Sequence, residues 1–382
     1  MSKKRKTKKE KNNNKSFVHV VQQQQKIQVE ASSQPQLQIK TMPLIKLVMN
    51  EAVKAGNYDF SIKRCEKIIE EIENITKRRT ISYFATQIDN PAALINDSDS
   101  IQIEDMLRLS NVYDGLDLIL NSSGGYALSA ERIINVCKTY ITKNRLKEFR
   151  VIVPRAAKSA ATMVALGADK TLLCDNAELG PIDPQLVLVG NTGIPFTKPA
   201  FLIRQALDEL LMKSGSDDIS QNEKYKIFLS QYNYDIYTTA KNELELSLDI
   251  AQKIFNSKKG KFIKLTMEAF DIFTNPKKTL AHGRLIGIDD LENNALYANK
   301  IIEDMRIHFA EDEKDKKSDQ EIKQLSSLYW ELYIRNTLLL NDAGNAIIKT
   351  IQTKEFIFPS FNTDWKPLTQ SPKSPPQQPS QP

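Results

Sequence analysis

The chain has 382 residues, 41% of them apolar, and a formal charge of +6. That length can bury one large core or two ordinary ones, and no stretch approaches the ~18–20 consecutive apolar residues that crossing a bilayer takes. The charge does not describe a basic nucleic-acid binder, because the opening MSKKRKTKKEKNNNK holds eight Lys or Arg against one Glu and the remainder is close to neutral.

From Asn12 to about Lys40 the chain is rich in Gln and Asn and poor in large apolar residues. Such a segment cannot offset the entropy of ordering, so residues 1–40 are expected to be a disordered arm. Its basic cluster is a candidate for nucleic acid or anionic lipid, with a solvated tail as the simpler reading. The charged N-terminus is not a secretory leader, which points to the cytoplasm. Cys65, Cys137 and Cys174 lack the close spacing of a zinc site or redox pair and read as reduced thiols.

Residues 41–77 are helix-forming, and TISYFATQI, rich in β-formers, predicts the first strand. LDLILNS is a short apolar run stopped by Gly124-Gly125. Ala127 to Lys143 carries apolar residues at helical spacing, and FRVIVP is a second buried run. RAAKSAATMVALGADK, the run KTLLCD and the turn-rich NAELGPIDPQ come next. Strands alternating with helices predict parallel crossovers and an α/β core. After about Lys198 the pattern turns mostly helical, and the chain ends in a Pro/Ser/Gln tail over 363–382.

In parallel α/β sheets, reactive groups gather beyond the carboxyl ends of the strands. Gly124-Gly125 stands at one such end and Ser159 just past another. A serine at the start of a helix sits among unpaired N–H groups at the positive end of the dipole, where an anion forming on an attacked carbonyl is held. The plain alternative is a helix cap beside a sharp turn. A serine nucleophile needs a base, and the chain has three histidines. His19 lies in the arm, His308 follows the apolar face of a late helix, and His282 lies in the loop-like PKKTLAHGRLIGIDD, so elimination favours His282. Asp183, between the prolines of ELGPIDPQL, is the candidate orienting acid, or else a turn aspartate bonding its own backbone.

LDLILNSSGG, VIVPRAAKSAATMVALGADKTLLCDNAELGPIDPQ and AHGRLIG together resemble the serine dehydrogenase proteinase family, a branch of the Clp-protease and crotonase superfamily related to the archaeal signal peptide peptidases. The resemblance spans roughly residues 75 to 310. It implies a spiral of βαβ units, peptide hydrolysis, a triad in the order Ser159, Asp183, His282, and oxyanion donors from the backbone at Gly124 or Gly125 and at Ala160. Two departures stand out. Ser122-Ser123 replaces the family's threonine-proline, and Ala161 replaces a glycine.

The expected architecture is therefore α/β, a Clp/crotonase-like spiral with a largely helical C-terminal part. The peptidase domain with its helical additions is assigned to 41–310 and a C-terminal helical segment to 311–362. The expected function is a serine peptidase acting on peptides or proteins, without metal or cofactor, in a homo-oligomer. A Ser-Lys dyad using Lys198 or Lys213 is the first alternative, and a catalytically idle peptide-binding or scaffold module the second. A crotonase-type acyl-CoA enzyme has no use for the serine block.

Overall fold

The computed structural model describes residues 42–55, 60–86, 90–109, 114–145, 147–189, 193, 195–214, 234–259, 265–279, 281–341 and 346–362. The chain divides into two units at Lys46/Leu47. Of the first unit only residues 42–46 are described, and the sheet and the helices that cover it belong to the second. The expected arm over 1–40 and the tail over 363–382 lie outside the described residues.

The helix-forming stretch before the first strand gives two helices, α1 (Leu44–Ala55) and α2 (Phe60–Thr76). The apolar runs then become β1 (Arg79–Ala85), β2 (Leu116–Asn121), β3 (Phe149–Val153) and β5 (Lys170–Leu173). With β9 (Ile302–Asp304) they form five parallel strands, and β10 (Ile347–Gln352) and β11 (Ile357–Phe361) extend the sheet antiparallel in the order β11-β10-β1-β2-β3-β5-β9.

Alternation along each strand assigns its residues to two faces. Ile81, Tyr83, Leu118, Leu120, Val151 and Val153 enter the larger core. That side is covered by α3 (Asp97–Arg108), α4 (Ala127–Asn144), α5 (Ala160–Gly167) and α7 (Tyr234–Lys258). Phe84, Ile119, Ile152 and Leu172 face the other way, toward α2, α8 (Met305–Glu311) and α9 (Asp319–Leu340). Both faces are thus covered, which is why apolar residues of both registers are buried along these strands, with Asp117 and Arg150 buried among them.

Helix α5, AATMVALG, is buried along its whole length. A helix with no solvent face, crossing α4 closely enough that a Cβ on Gly167 would lie 2.5 Å from Ile134, needs small residues. Two departures from the sequence expectation concern the C-terminal half. Residues 311–362 supply α9 as expected but end in β10, which pairs with the N-terminal strand β1, and in β11, which pairs with β10. The stretch after Lys198 also contains β9, while KFIKLTMEAFDIF yields only short turns of helix within its described residues.

Candidate active site

After β3 the chain leaves the main sheet at Pro154 and forms β4 (Ala156–Ala157), which pairs parallel with β6 (Glu178–Leu179). The end of β2 supports this strand, with Ser122 N donating to Ala156 O at 3.0 Å and Lys158 N donating to Ser122 O at 3.0 Å. On the opposite side of β6, Leu179 pairs antiparallel with Ile286 through bonds of 2.9 and 3.1 Å. A small sheet thus connects the strand leading to Ser159 with the strand leaving the His282 turn.

Ser159 joins β4 to α5 at φ 50° and ψ −119°, and its side chain makes no capping bond. A non-glycine residue held at positive φ stores about 1–3 kcal/mol of strain. It aims the residue at the junction of a strand and a helix N-terminus, with the diglycine turn directly against it. A Cβ on Gly124 would lie 2.7 Å from Lys158 O, 2.8 Å from Ser159 Cβ and 3.1 Å from Ala160 N, and the φ of 112° independently favours glycine. Gly124 N–H donates to Ser122 Oγ at 3.1 Å. Among the described residues the N–H groups of Gly125 and Ala160 have no hydrogen-bond partner, so of the two glycines it is Gly125 that keeps an amide available.

Asp183 sits between Pro181 and Pro184 in a segment pinned by Ile182 N donating to Phe273 O at 2.7 Å. Its carboxylate is almost fully buried; one oxygen accepts from Gln185 Nε2 at 3.0 Å and the other meets Nδ1 of His282. An imidazole that donates Nδ1–H to a carboxylate keeps Nε2 as its proton acceptor. His282 itself is about one-third exposed, in the turn Ala281–Arg284. No hydrogen bond joins Ser159 to His282.

Both departures from the family pattern have settled places. Ser122 is fully buried and engaged by β4 and Gly124, and Ala161 is buried in α5. Lys198 lies in the hairpin of β7 (Gln185–Val189) and β8 (Pro195–Pro199), with Nζ 5.6 Å from the centre of the Phe196 ring. Lys213 falls near the end of α6 (Ala200–Ser214), and its side chain lies outside the described residues, as does His19. His308 is buried, with Nδ1 3.0 Å from Glu303 and Nε2 3.2 Å from an Arg150 nitrogen, and belongs to a structural ionic cluster. No cluster of three or more His, Cys, Asp or Glu able to hold a metal occurs among the described residues.

Sequence reasoning missed Thr162, whose hydroxyl lies 2.7 Å from Ala157 O and accepts Gly180 N–H at 3.1 Å. It locks α5 to β4 and to the segment leading to Asp183. A threonine at the third position of an otherwise apolar buried helix is the only signal of it. Lys158 precedes the helix and reaches β6.

The doubly covered parallel core, with a small side sheet feeding a helix N-terminus, makes this a mixed α/β fold of ClpP-like type. Residues 41–201 match the family model of the ClpP-like SDH-type serine proteinases. The match includes Ser159 and Asp183 and ends before His282. Two uncharacterized proteins of Methanocaldococcus jannaschii are similar. MJ0137 is 33% identical over 152 residues, which are 40% of this chain and 47% of the relative. MJ1495 is 36% identical over 88 residues, 23% of this chain and 28% of the relative. The chain therefore spans less than half the length of these relatives. Among solved structures, the 1510-N membrane-bound stomatin-specific protease is similar as a lysine-to-alanine mutant with a substrate peptide, at 12% identity and TM-score 0.32 over 55% of this chain and 70% of that one. Its serine-to-alanine mutant gives 19%, 0.23, 32% and 61%. Likeness at that level bears on neither site nor substrate.

Proposed function

We propose that the protein is a serine peptidase in which Ser159 is the nucleophile, His282 the general base and Asp183 the group that orients the imidazole. The observation that carries this reading is the contact of His282 Nδ1 with the buried Asp183 carboxylate. It stands beside a serine held at positive φ at a helix N-terminus. Ser159 Oγ attacks the peptide carbonyl as His282 Nε2 takes its proton, and the same imidazolium returns the proton to the leaving amine. The oxyanion is held by the N–H groups of Ala160 and of the diglycine turn, where the free amide of Gly125 favours that residue over Gly124. Water then hydrolyses the acyl-enzyme by the same steps. No group beyond these side chains is required.

Ser159→Ala should abolish both peptide cleavage and labelling by a fluorophosphonate probe while leaving the melting temperature nearly unchanged. Undiminished cleavage by that variant would sink the assignment. His282→Ala should cost several powers of ten, with Lys198→Ala and Lys213→Ala near wild type; the reverse result transfers the chemistry to a Ser-Lys dyad. A wild-type protein that neither cleaves nor labels is the idle peptide-binding module.

The same reading includes a homo-oligomer in the cytoplasm. The β7–β8 hairpin supports assembly, since Val187 and Val189 are each 70% exposed on a ribbon outside the main sheet. Light scattering tests it, and an active strict monomer contradicts it. No helix among the described residues is long and apolar enough to cross a membrane.

A further inference from the structure

The residue before the proposed nucleophile has a side chain with no assigned task. Lys158 is only 15% exposed, unusual for a lysine. Its stem runs across the face of Gly180, where an added Cβ would lie 2.6 Å from Lys158 Cδ. Its ammonium makes an ion pair with Glu178 at 2.8 Å and donates to Leu179 O at 3.1 Å, with Arg284 O at 3.5 Å. Leu179 O is also the acceptor for Ile286 N–H. One carbonyl of β6 therefore receives both the strand that leaves the His282 turn and the side chain adjacent to Ser159.

The turn has little else to hold it. Ala281, Gly283, Arg284 and Leu285 are exposed, and the first fully buried side chain after His282 is Ile286. Within the turn Arg284 N donates to Ala281 O at 3.1 Å, which shapes it without anchoring it. Among the described residues its outward attachments are Ala281 N donating to Thr279 O at 2.7 Å, the Asp183 carboxylate, an Arg284 guanidinium bond to Lys278 O at 3.0 Å, and Lys158. The aspartate fixes the ring but not the distance from the ring to Ser159. Lys158 is the attachment that originates on the nucleophile's own strand.

We infer that Lys158 is a positioning residue that ties the His282 turn to the backbone of Ser159, so that base and nucleophile move as one unit. This rests on the proposed Ser-His chemistry. Glu178 balances the charge, so the tether adds no net positive field to the imidazole. The Lys158 ammonium bonds to neither the Ser159 nor the His282 side chain and takes no part in proton transfer. Its effect is geometric, and a misplacement of about 1 Å between reacting groups can cost ~100-fold in rate.

The test uses the full chain with Lys158→Met, which keeps the stem and removes the donors, Lys158→Arg, which restores them, and Gly180→Ala, which displaces the stem with the lysine intact. Hydrogen exchange read by mass spectrometry reports the tether without reference to activity. Lys158→Met and Gly180→Ala should accelerate exchange in 281–287 while β2 and β3 stay protected, and Lys158→Arg should recover most of the protection. Steady-state kinetics should then show kcat falling ~10–100-fold in Lys158→Met with KM within about threefold. Unchanged exchange in 281–287 overturns the inference, as does loss of protection across β2 and β3 together. A wild-type enzyme without cleavage or labelling would defeat the peptidase reading instead, and the exchange result would still decide the tether.

Discussion

Ser159 and Gly124 have to be considered together, because each occupies a backbone region that suits few residues and a Cβ on Gly124 would lie 2.8 Å from Ser159 Cβ. Substituting alanine at Gly124 would place a methyl against Ser159 Cβ and Lys158 O at a φ where a side chain is strained in any case. Gly124→Ala is expected to lower kcat/KM at least ~100-fold, because relief of the clash moves the proposed nucleophile. It should also cost more than about 1 kcal/mol of stability. Urea unfolding and probe labelling measure the two separately, and full activity with an unchanged midpoint would refute the close packing. Such residues were legible from chemistry-bearing types at strand ends: a serine among alanines, a diglycine, an aspartate between prolines, one loop histidine. Lys158 was not legible, because it lies in the connection between β4 and α5, and that connection sets its direction. No sequence spacing shows that β6 runs beneath it.

The strands β1, β2, β3 and β5 announced themselves through consecutive apolar and β-forming residues, as burial on both faces favours, even though Thr80, Asp117 and Arg150 lie within them. The strands that sequence reasoning missed lack that signature. β9 has three residues, and β10 reads IIKTIQ, with Lys349, Thr350 and Gln352 buried among the isoleucines. Lys349 is fully buried and pairs with Asp99 at 2.7 Å, in the first turn of α3. It also donates to Leu94 O at 3.0 Å. Asp99 accepts from Tyr83 OH and Asn96 N through its other oxygen, while Oδ1 has the ammonium at ion-pair distance and no hydrogen bond. Lys349→Met would leave that carboxylate buried without a counter-charge, at an expected cost of about 3–5 kcal/mol. The double variant with Asp99→Asn should recover a large part of it. A loss below about 1 kcal/mol in denaturant unfolding would show that β10 is held by its backbone pairing alone.

Across the whole molecule, the ends of the parallel strands away from Ser159 are held by charge. Asp117 on β2 is fully buried and bonded by Arg150 at 2.7 and 2.9 Å and by Arg78, while Arg150 also reaches Asp315 beyond α8. Burial alone would raise the Asp117 carboxyl, but the two guanidinium groups outweigh it and hold it below the usual carboxylate range. A carboxylate whose folded pKa is depressed contributes stability above its unfolded value of about 3.9 and loses it as the pH falls through the folded value. The melting temperature should therefore be flat with respect to this group above about pH 5 and drop at lower pH. Asp117→Asn should cost about 3–5 kcal/mol at neutral pH and flatten that acid limb. A variant that keeps the wild-type acid limb would assign it to other carboxylates, Asp315 first among them.

The small side sheet carries one more consequence, for the order in which the protein is made. Ser159 and its strand are specified in the first half of the chain, but the partner that completes the third edge, Ile286 with the His282 turn before it, is more than a hundred residues further on. At a synthesis rate of about 5–20 residues per second, the ribosome needs roughly 6–25 s to travel from the nucleophile to the base. A nascent chain in that interval holds a serine at its strand end and nothing to take its proton. On the proposed chemistry the enzyme is born silent, and its own unfinished neighbours on a polysome are safe from it until each chain has closed its third edge.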